Sequence, residues 1–185
     1  MVIQEYLNLL NVDECNRIIK LAEESNISEA PVIGDNDSGY RTALSCWLDT
    51  EDDIILSWIR DYISYETKLP VENQEGLHLV KYPVGGKYDP HHDYFVPDYE
   101  LHNDFIGKSG NRTHSFLIYL NDDFKGGETK FIKQDRIVTP ETGKGLLWTN
   151  TIDGELLKDS EHAGLPVTEG YKYILIIWVR ETKFV

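Results

Sequence analysis

The residues best suited to chemistry lie in the run Lys81-Tyr82-Pro83-Val84-Gly85-Gly86-Lys87-Tyr88-Asp89-Pro90-His91-His92-Asp93. In extended backbone alternate side chains share a face, so His91 and Asp93 point together while His92 points away. Such a pair has two readings: a strand-end histidine hydrogen-bonded to a neighbour, or two ligands for one metal ion. A third histidine, His162 in Asp159-Ser160-Glu161-His162-Ala163-Gly164, follows after several candidate strands and favours the metal. Two histidines and a carboxylate from separate strands form a facial triad, which leaves three coordination positions open. Open positions suit a non-haem Fe(II) centre that must take a co-substrate and O2, whereas a structural zinc site closes its shell with four protein ligands.

The last candidate strand adds a separate observation. Alternation places Lys172, Ile174, Ile176 and Trp178 on one face and Tyr173, Leu175, Ile177 and Val179 on the other. A lysine on an otherwise apolar face either snorkels to solvent or meets an anion, because an unpaired buried charge is costly. The functional reading is that Lys172 holds the distal carboxylate of a dicarboxylate co-substrate.

The elements that must position these groups fit one domain of 185 residues. Asn11 followed by Glu14 is a capping box, and Cys15, Ile18, Ile19 and Ala22 then keep a helical period. A second helix is expected from near Thr50, with Ile54, Ile55, Trp58, Ile59 and Tyr62 as its buried stripe. Beyond residue 76 the period falls to two, with candidate strands Leu77–Tyr82, Lys87–Pro90, Ser115–Leu120, Thr129–Ile132, Arg136–Thr139, Gly145–Trp148 and Tyr171–Arg180. The reading is α+β and mainly β: a β-sandwich or jelly-roll body over residues 76–185, braced by a helical support region over residues 1–75. The polar stretch from Tyr94 to Asn111 reads as a long functional loop. Asp35-Asn36-Asp37-Ser38-Gly39 lacks the spacing of a calcium loop and reads as a turn.

Composition narrows the partners. A formal charge of −14 repels phosphate backbones, which excludes nucleic acid and anionic membrane as expected partners. No apolar run approaches the roughly 20 residues of a membrane span, and the first residues lack a signal-peptide pattern, so a cytoplasmic location is expected. Cys15 and Cys46 read as buried, reduced thiols.

Taken together, Tyr82-x-x-Gly85-Gly86-x-Tyr88-x-Pro90-His91-x-Asp93, Tyr119-Leu120-Asn121, Gly126-Gly127-Glu128-Thr129, Pro140-x-x-Gly143 and His162-Ala163-x-x-Pro166-Val167-x-x-Gly170-x-Lys172 closely resemble the prolyl 4-hydroxylase group of Fe(II)- and 2-oxoglutarate-dependent oxygenases. The resemblance implies a double-stranded β-helix of the jelly-roll type. It implies iron on His91, Asp93 and His162, the 2-oxoglutarate 5-carboxylate on Lys172, and hydrogen bonds to the same co-substrate from Tyr82 and Thr129. Tyr119 matches a residue lining the co-substrate pocket, Arg112 one associated with peptide binding, and Trp178 an aromatic on the final strand counted with the substrate contacts. For Tyr119 and Trp178 ordinary core packing is the competing reading, and for Arg112 an exposed rim charge.

The implied reaction hydroxylates a proline-containing peptide at C4 while 2-oxoglutarate and O2 yield succinate and CO2, with ascorbate as the reductant. Tyr173 departs from the tryptophan found after the lysine in many relatives. Two further readings stay open: a same-fold oxygenase acting on another residue or a free amino acid, and a noncatalytic metal- or peptide-binding jelly roll.

Overall fold

The computed structural model describes residues 2–25, 27–29, 39–48, 53–97 and 100–185, without the side chain of residue 101. Fifteen strands are described: β1 (Ile3–Tyr6), β2 (Ser28–Glu29), β3 (Leu44–Leu48), β4 (Leu77–Tyr82), β5 (Tyr88–His91), β6 (Arg112–Tyr119), β7 (Lys125–Gly126), β8 (Thr129–Phe131), β9 (Arg136–Val138), β10 (Gly145–Thr149), β11 (Thr151–Ile152), β12 (Glu155–Leu156), β13 (His162–Gly164), β14 (Val167–Glu169) and β15 (Lys172–Arg180). The helices are α1 (Val12–Glu23), α2 (Ile54–Thr67) and α3 (Glu100–Ser109). A major antiparallel sheet runs β1-β10-β6-β15-β4-β3-β2, and a minor one runs β5-β13-β8-β9. Two antiparallel sheets of this size, helix-braced on one side, are the jelly-roll architecture expected from the sequence.

Strict alternation along the central strands builds two cores from one sheet. On β15, Leu175, Ile177 and Val179 join Phe116, Ile118, Leu77 and Leu79 under α1 and α2, which contribute Cys15, Ile18, Ala22, Leu56, Ile59 and Ile63. The opposite residues, Ile174, Ile176 and Trp178, join Leu117, Tyr119, Val80 and Trp148 from the major sheet and Phe131 and Val138 from the minor one. This second core lies between the sheets and surrounds the site.

α1 forms as the sequence predicts. The Asn11 side chain accepts from Glu14 N at 3.0 Å and the Glu14 carboxylate accepts from Asn11 N at 2.8 Å, so two orphan donors are satisfied reciprocally. α2 corrects the expectation. Its N-cap is Asp53, in extended backbone, whose side chain accepts from Ile55 N and Leu56 N. Leu56, Ile59 and Ile63 face inward, while Ile54 and Trp58 are exposed. Asp53→Ala is expected to cost about 1–2 kcal/mol in urea unfolding, the upper range for a lost cap. Asp53→Asn, which keeps the cap and loses only the charge facing a half-exposed Arg17, should cost less.

Two other expectations need correcting. The stretch 94–111 is not a continuous loop, because α3 occupies Glu100–Ser109 and ends at Gly110, whose φ of 70° suits glycine. Its Gly107 and weak apolar periodicity conceal the helix in the sequence. Strand β3, absent from the sequence reading, pairs with β4 from Leu44↔Lys81 to Leu48↔Leu77 and widens the major sheet. Of the turn Asp35–Gly39, residues 35–38 lie outside the described residues. Both cysteines are buried and unpaired, and among the described residues no helix is long and apolar enough to cross a membrane.

Candidate metal centre and active site

The two histidines meet because β5 and β13 are neighbours in the minor sheet and His162 is the direct cross-strand partner of His91. Asp93 lies just past the end of β5, buried at 6% exposure. Its Oδ1 is 3.6 Å from His91 Nε2 and its Oδ2 is 3.7 Å from His162 Nε2. One ligand atom from each of the three residues falls within 4.8 Å of the others, and among the described residues this is the group of that kind.

The outer hydrogen bonds set the ring states. His91 Nδ1 lies 2.8 Å from Asp89 O and His162 Nδ1 lies 2.9 Å from Ser160 O. A carbonyl only accepts, so each Nδ1 carries the proton and each Nε2 presents its lone pair towards Asp93 and the other histidine. Burial, together with the neighbouring His91, pushes the His162 pKa down to about 4 against the pull of Asp93, which leaves the ring neutral at pH 7. Burial alone would raise the Asp93 pKa, but His162, His91 and Arg112 outweigh it and hold the carboxyl well below its usual range. Two imidazoles tethered through Nδ1 with Nε2 turned to a common point, and one ionised carboxylate, are the donor set of a facial triad, so the residues present fit Fe(II). His92 is turned away, with its Nε2 3.2 Å from Lys158 O.

The triad and Lys172 line the same cavity of about 420 Å3, which includes its mouth. Lys172 is 2% exposed, so it does not snorkel. It pairs in register with Tyr82, and its Nζ donates to Gly127 O at 2.6 Å while lying 5.2 Å from the Tyr82 ring centre and 5.5 Å from that of Tyr119. The Tyr119 hydroxyl donates to Thr129 Oγ1 at 2.7 Å. Burial lowers the Lys172 pKa to about 7, opposed only by Glu128. Gly127 has φ +69°, and a Cβ there would press on Phe124 and on Lys172 Cδ at 3.1 Å, so the lysine's seat requires glycine.

Trp178 also lines the cavity. Arg112 lies 3.8 Å from its ring centre and donates to both carboxylate oxygens of Glu75, at 2.6 and 2.7 Å. Arg180 donates to the same carboxylate at 3.0 Å and reaches Gly110 O and Phe105 O, which ties α3 to the sheet. The Arg112 side chain is thus largely buried against Trp178 rather than an exposed rim charge.

Several cavity residues carried no role in the sequence reading. Tyr88 stacks on the His91 ring at 3.5 Å, Arg41 lies 4.8 Å above Tyr88, and Trp148 packs edge-on against His162 at 4.8 Å. Tyr88 stood within the quoted motif and was the one signal at hand. Arg41 gives none, since an isolated bridge to Tyr88 is what brings it to the cavity. Ser115 and Asn150, which reach Asp93 in sequence, were also missed.

Comparisons with known proteins agree with this geometry. Residues 77–180, which carry all three triad residues and Lys172, match the 2OG-Fe(II) oxygenase superfamily. Prolyl 4-hydroxylase 5 of Arabidopsis thaliana is 33% identical over 203 residues, covering 97% of this chain and 68% of that protein. The putative prolyl 4-hydroxylase of Acanthamoeba polyphaga mimivirus is 30% identical over 179 residues, covering 96% and 73%. The crystal structure of the viral collagen prolyl hydroxylase of Paramecium Bursaria Chlorella virus-1 in its 2OG complex superposes with a TM-score of 0.79 at 22% identity, over 97% of this chain and 96% of that one, a likeness of fold. On these matches, and on a triad whose ligand atoms already converge, the chain belongs to the 2OG-Fe(II) oxygenase superfamily as a 2-oxoglutarate-dependent dioxygenase of the prolyl 4-hydroxylase family.

Proposed function

We propose that the protein is an Fe(II)- and 2-oxoglutarate-dependent peptidyl-prolyl 4-hydroxylase acting on a proline-containing peptide or protein segment. The observation that carries this reading is one cavity lined by both the triad and a buried lysine. The prolyl 4-hydroxylase relatives supply the substrate class.

Bound Fe(II) supplies O2 activation coupled to the oxidative decarboxylation of 2-oxoglutarate to succinate and CO2. The chain's own groups do the rest. His91, Asp93 and His162 would hold the metal, three protein ligands that leave room for co-substrates. Lys172 donates its ammonium protons to the distal carboxylate of 2-oxoglutarate, and the hydroxyls of Tyr82, Tyr119 and Thr129 complete that end. Leu117, Ile174 and Ile176 line the cavity with hydrocarbon and exclude water. Trp178 offers an aromatic surface to the proline segment, and Arg112, whose guanidinium lies over that indole, contributes to peptide recognition by holding it in place. Ascorbate serves as the reductant. Two unpaired, buried thiols accord with a reducing, cytoplasmic setting.

The test is incubation of the enzyme with Fe(II), 2-oxoglutarate, ascorbate and a library of proline-rich peptides, read by mass spectrometry and by succinate release. Peptide-dependent succinate and one added oxygen on proline are expected. Added oxygen on another residue type, with proline untouched, would move the substrate assignment to the same-fold alternative.

A further inference from the structure

Asp93 offers two oxygens to the histidine pair at nearly equal range, Oδ1 at 3.6 Å from His91 Nε2 and Oδ2 at 3.7 Å from His162 Nε2. Something must therefore choose between one-oxygen and two-oxygen ligation. The choice matters, because a facial triad leaves three positions and 2-oxoglutarate with O2 needs all three. A second Asp93 oxygen on the metal would occupy one of them.

The two oxygens differ in their surroundings. Oδ2 accepts a hydrogen bond from the Ser115 hydroxyl at 2.6 Å, and Ser115 Oγ in turn accepts from Asn150 Nδ2 at 2.8 Å. Ser115 and Asn150 are both fully buried, at 0% exposure. A serine hydroxyl has a single proton, and an amide nitrogen only donates, so the Ser115 proton is directed to Asp93. Asn150 is itself fixed through its backbone: its N donates to Thr113 O at 2.7 Å and its O accepts from Leu157 N at 2.9 Å, which pins it between β6 and the β11–β12 hairpin. Ser115 sits in mid-sheet, paired in register with Trp148 on one side and Trp178 on the other.

We propose that Ser115, oriented by Asn150, is a positioning residue that occupies Asp93 Oδ2 and so presents Asp93 to the metal as a one-oxygen ligand through Oδ1. The inference rests on the metal reading given above. Outer partners of this kind typically carry 10–100-fold in metal affinity.

Ser115→Thr and Ser115→Val test it, since they add the same bulk and differ by the hydroxyl, so any packing defect is shared. Metal-free protein is titrated with Co(II) by visible absorption, and 2-oxoglutarate is then titrated calorimetrically into the Co(II)-loaded protein. Ser115→Val is expected to bind Co(II) about 10–100-fold more weakly than Ser115→Thr, and to bind 2-oxoglutarate more weakly once loaded. Equal values for the two variants in both titrations would overturn the proposal. Asn150→Ala should weaken Co(II) binding in the wild-type background and add nothing on top of Ser115→Val. An equal loss in both backgrounds would show that Asn150 does not act through Ser115. If the wild-type protein binds no Co(II), the metal reading itself falls and takes this proposal with it.

Discussion

His162→Ala is expected to abolish turnover and to weaken Fe(II) binding by more than about 100-fold, since loss of an outer-shell partner alone costs 10–100-fold. The deleted group is the one proposed ligand on β13, and among the described residues no further His, Cys, Asp or Glu groups with the triad to replace it. Asp93 already faces both rings, and the Trp148 and Phe131 rings beside His162 offer no lone pair. The ring is also neutral at pH 7, its pKa held near 4, so no protonation cost masks its contribution in the wild-type protein. His92→Ala is the matched control: one residue from a ligand in sequence, it directs Nε2 to a backbone carbonyl and should keep metal affinity within about twofold. Fluorescence or calorimetric titration with Fe(II) under anaerobic conditions separates lost binding from lost catalysis. Full activity in His162→Ala would falsify the triad.

The pair His91 and Asp93 was legible because the period of two is imposed by extended backbone, whatever the rest of the chain does. The alternation of Lys172 with Ile174, Ile176 and Trp178 was legible for the same reason, and the structure places those residues on the cavity side while Leu175, Ile177 and Val179 face the helices. What the sequence cannot display is pairing between distant segments. Strand β13 has three residues, one of them glycine, and exists because it can sit between β5 and β8. Ser115 looks like one more inward residue of β6 until the fold brings Asp93 to it.

Arg112 illustrates a subtler limit. An arginine ahead of an apolar strand is as readily a rim charge as a buried one, and only Glu75, which satisfies it and Arg180 together, decides for burial. In α2 two overlapping apolar sets keep a helical spacing, Ile54, Ile55, Trp58, Ile59 and Tyr62 on one side and Leu56, Ile59 and Ile63 on the other. Packing against the major sheet decides that the second set is fully buried.

Lys172→Met is expected to raise the 2-oxoglutarate requirement by roughly 30-fold or more, the lower end of the 2–5 kcal/mol that follows truncation of a buried charge partner. Methionine keeps the length and the apolar stem, so packing against Tyr82 and Tyr119 is preserved and the ammonium alone is removed. A change confined to kcat would contradict the carboxylate role, and an unchanged KM would exclude it.

The wild-type pH dependence gives a second signature with a definite sign. Burial lowers the Lys172 pKa from 10.5 to about 7 in the free protein. Below about pH 7 the ammonium is present before the dianion arrives, so this group adds no pH dependence to binding. Above that point the free protein loses the proton, binding must recover it, and the apparent dissociation constant should climb by up to about tenfold per pH unit. The same shift makes the unfolded chain bind more protons between about 7 and 10.5, so the lysine's burial penalty fades and its contribution to stability improves as pH rises through that window. Bound 2-oxoglutarate compensates the charge and should flatten that rise. Lys172→Met should erase both trends. Calorimetric titration of the anaerobic Fe(II)-loaded enzyme in buffers of different ionisation enthalpy would count the proton directly: uptake approaching one per ligand above pH 7 in the wild type, and none from this site in the variant.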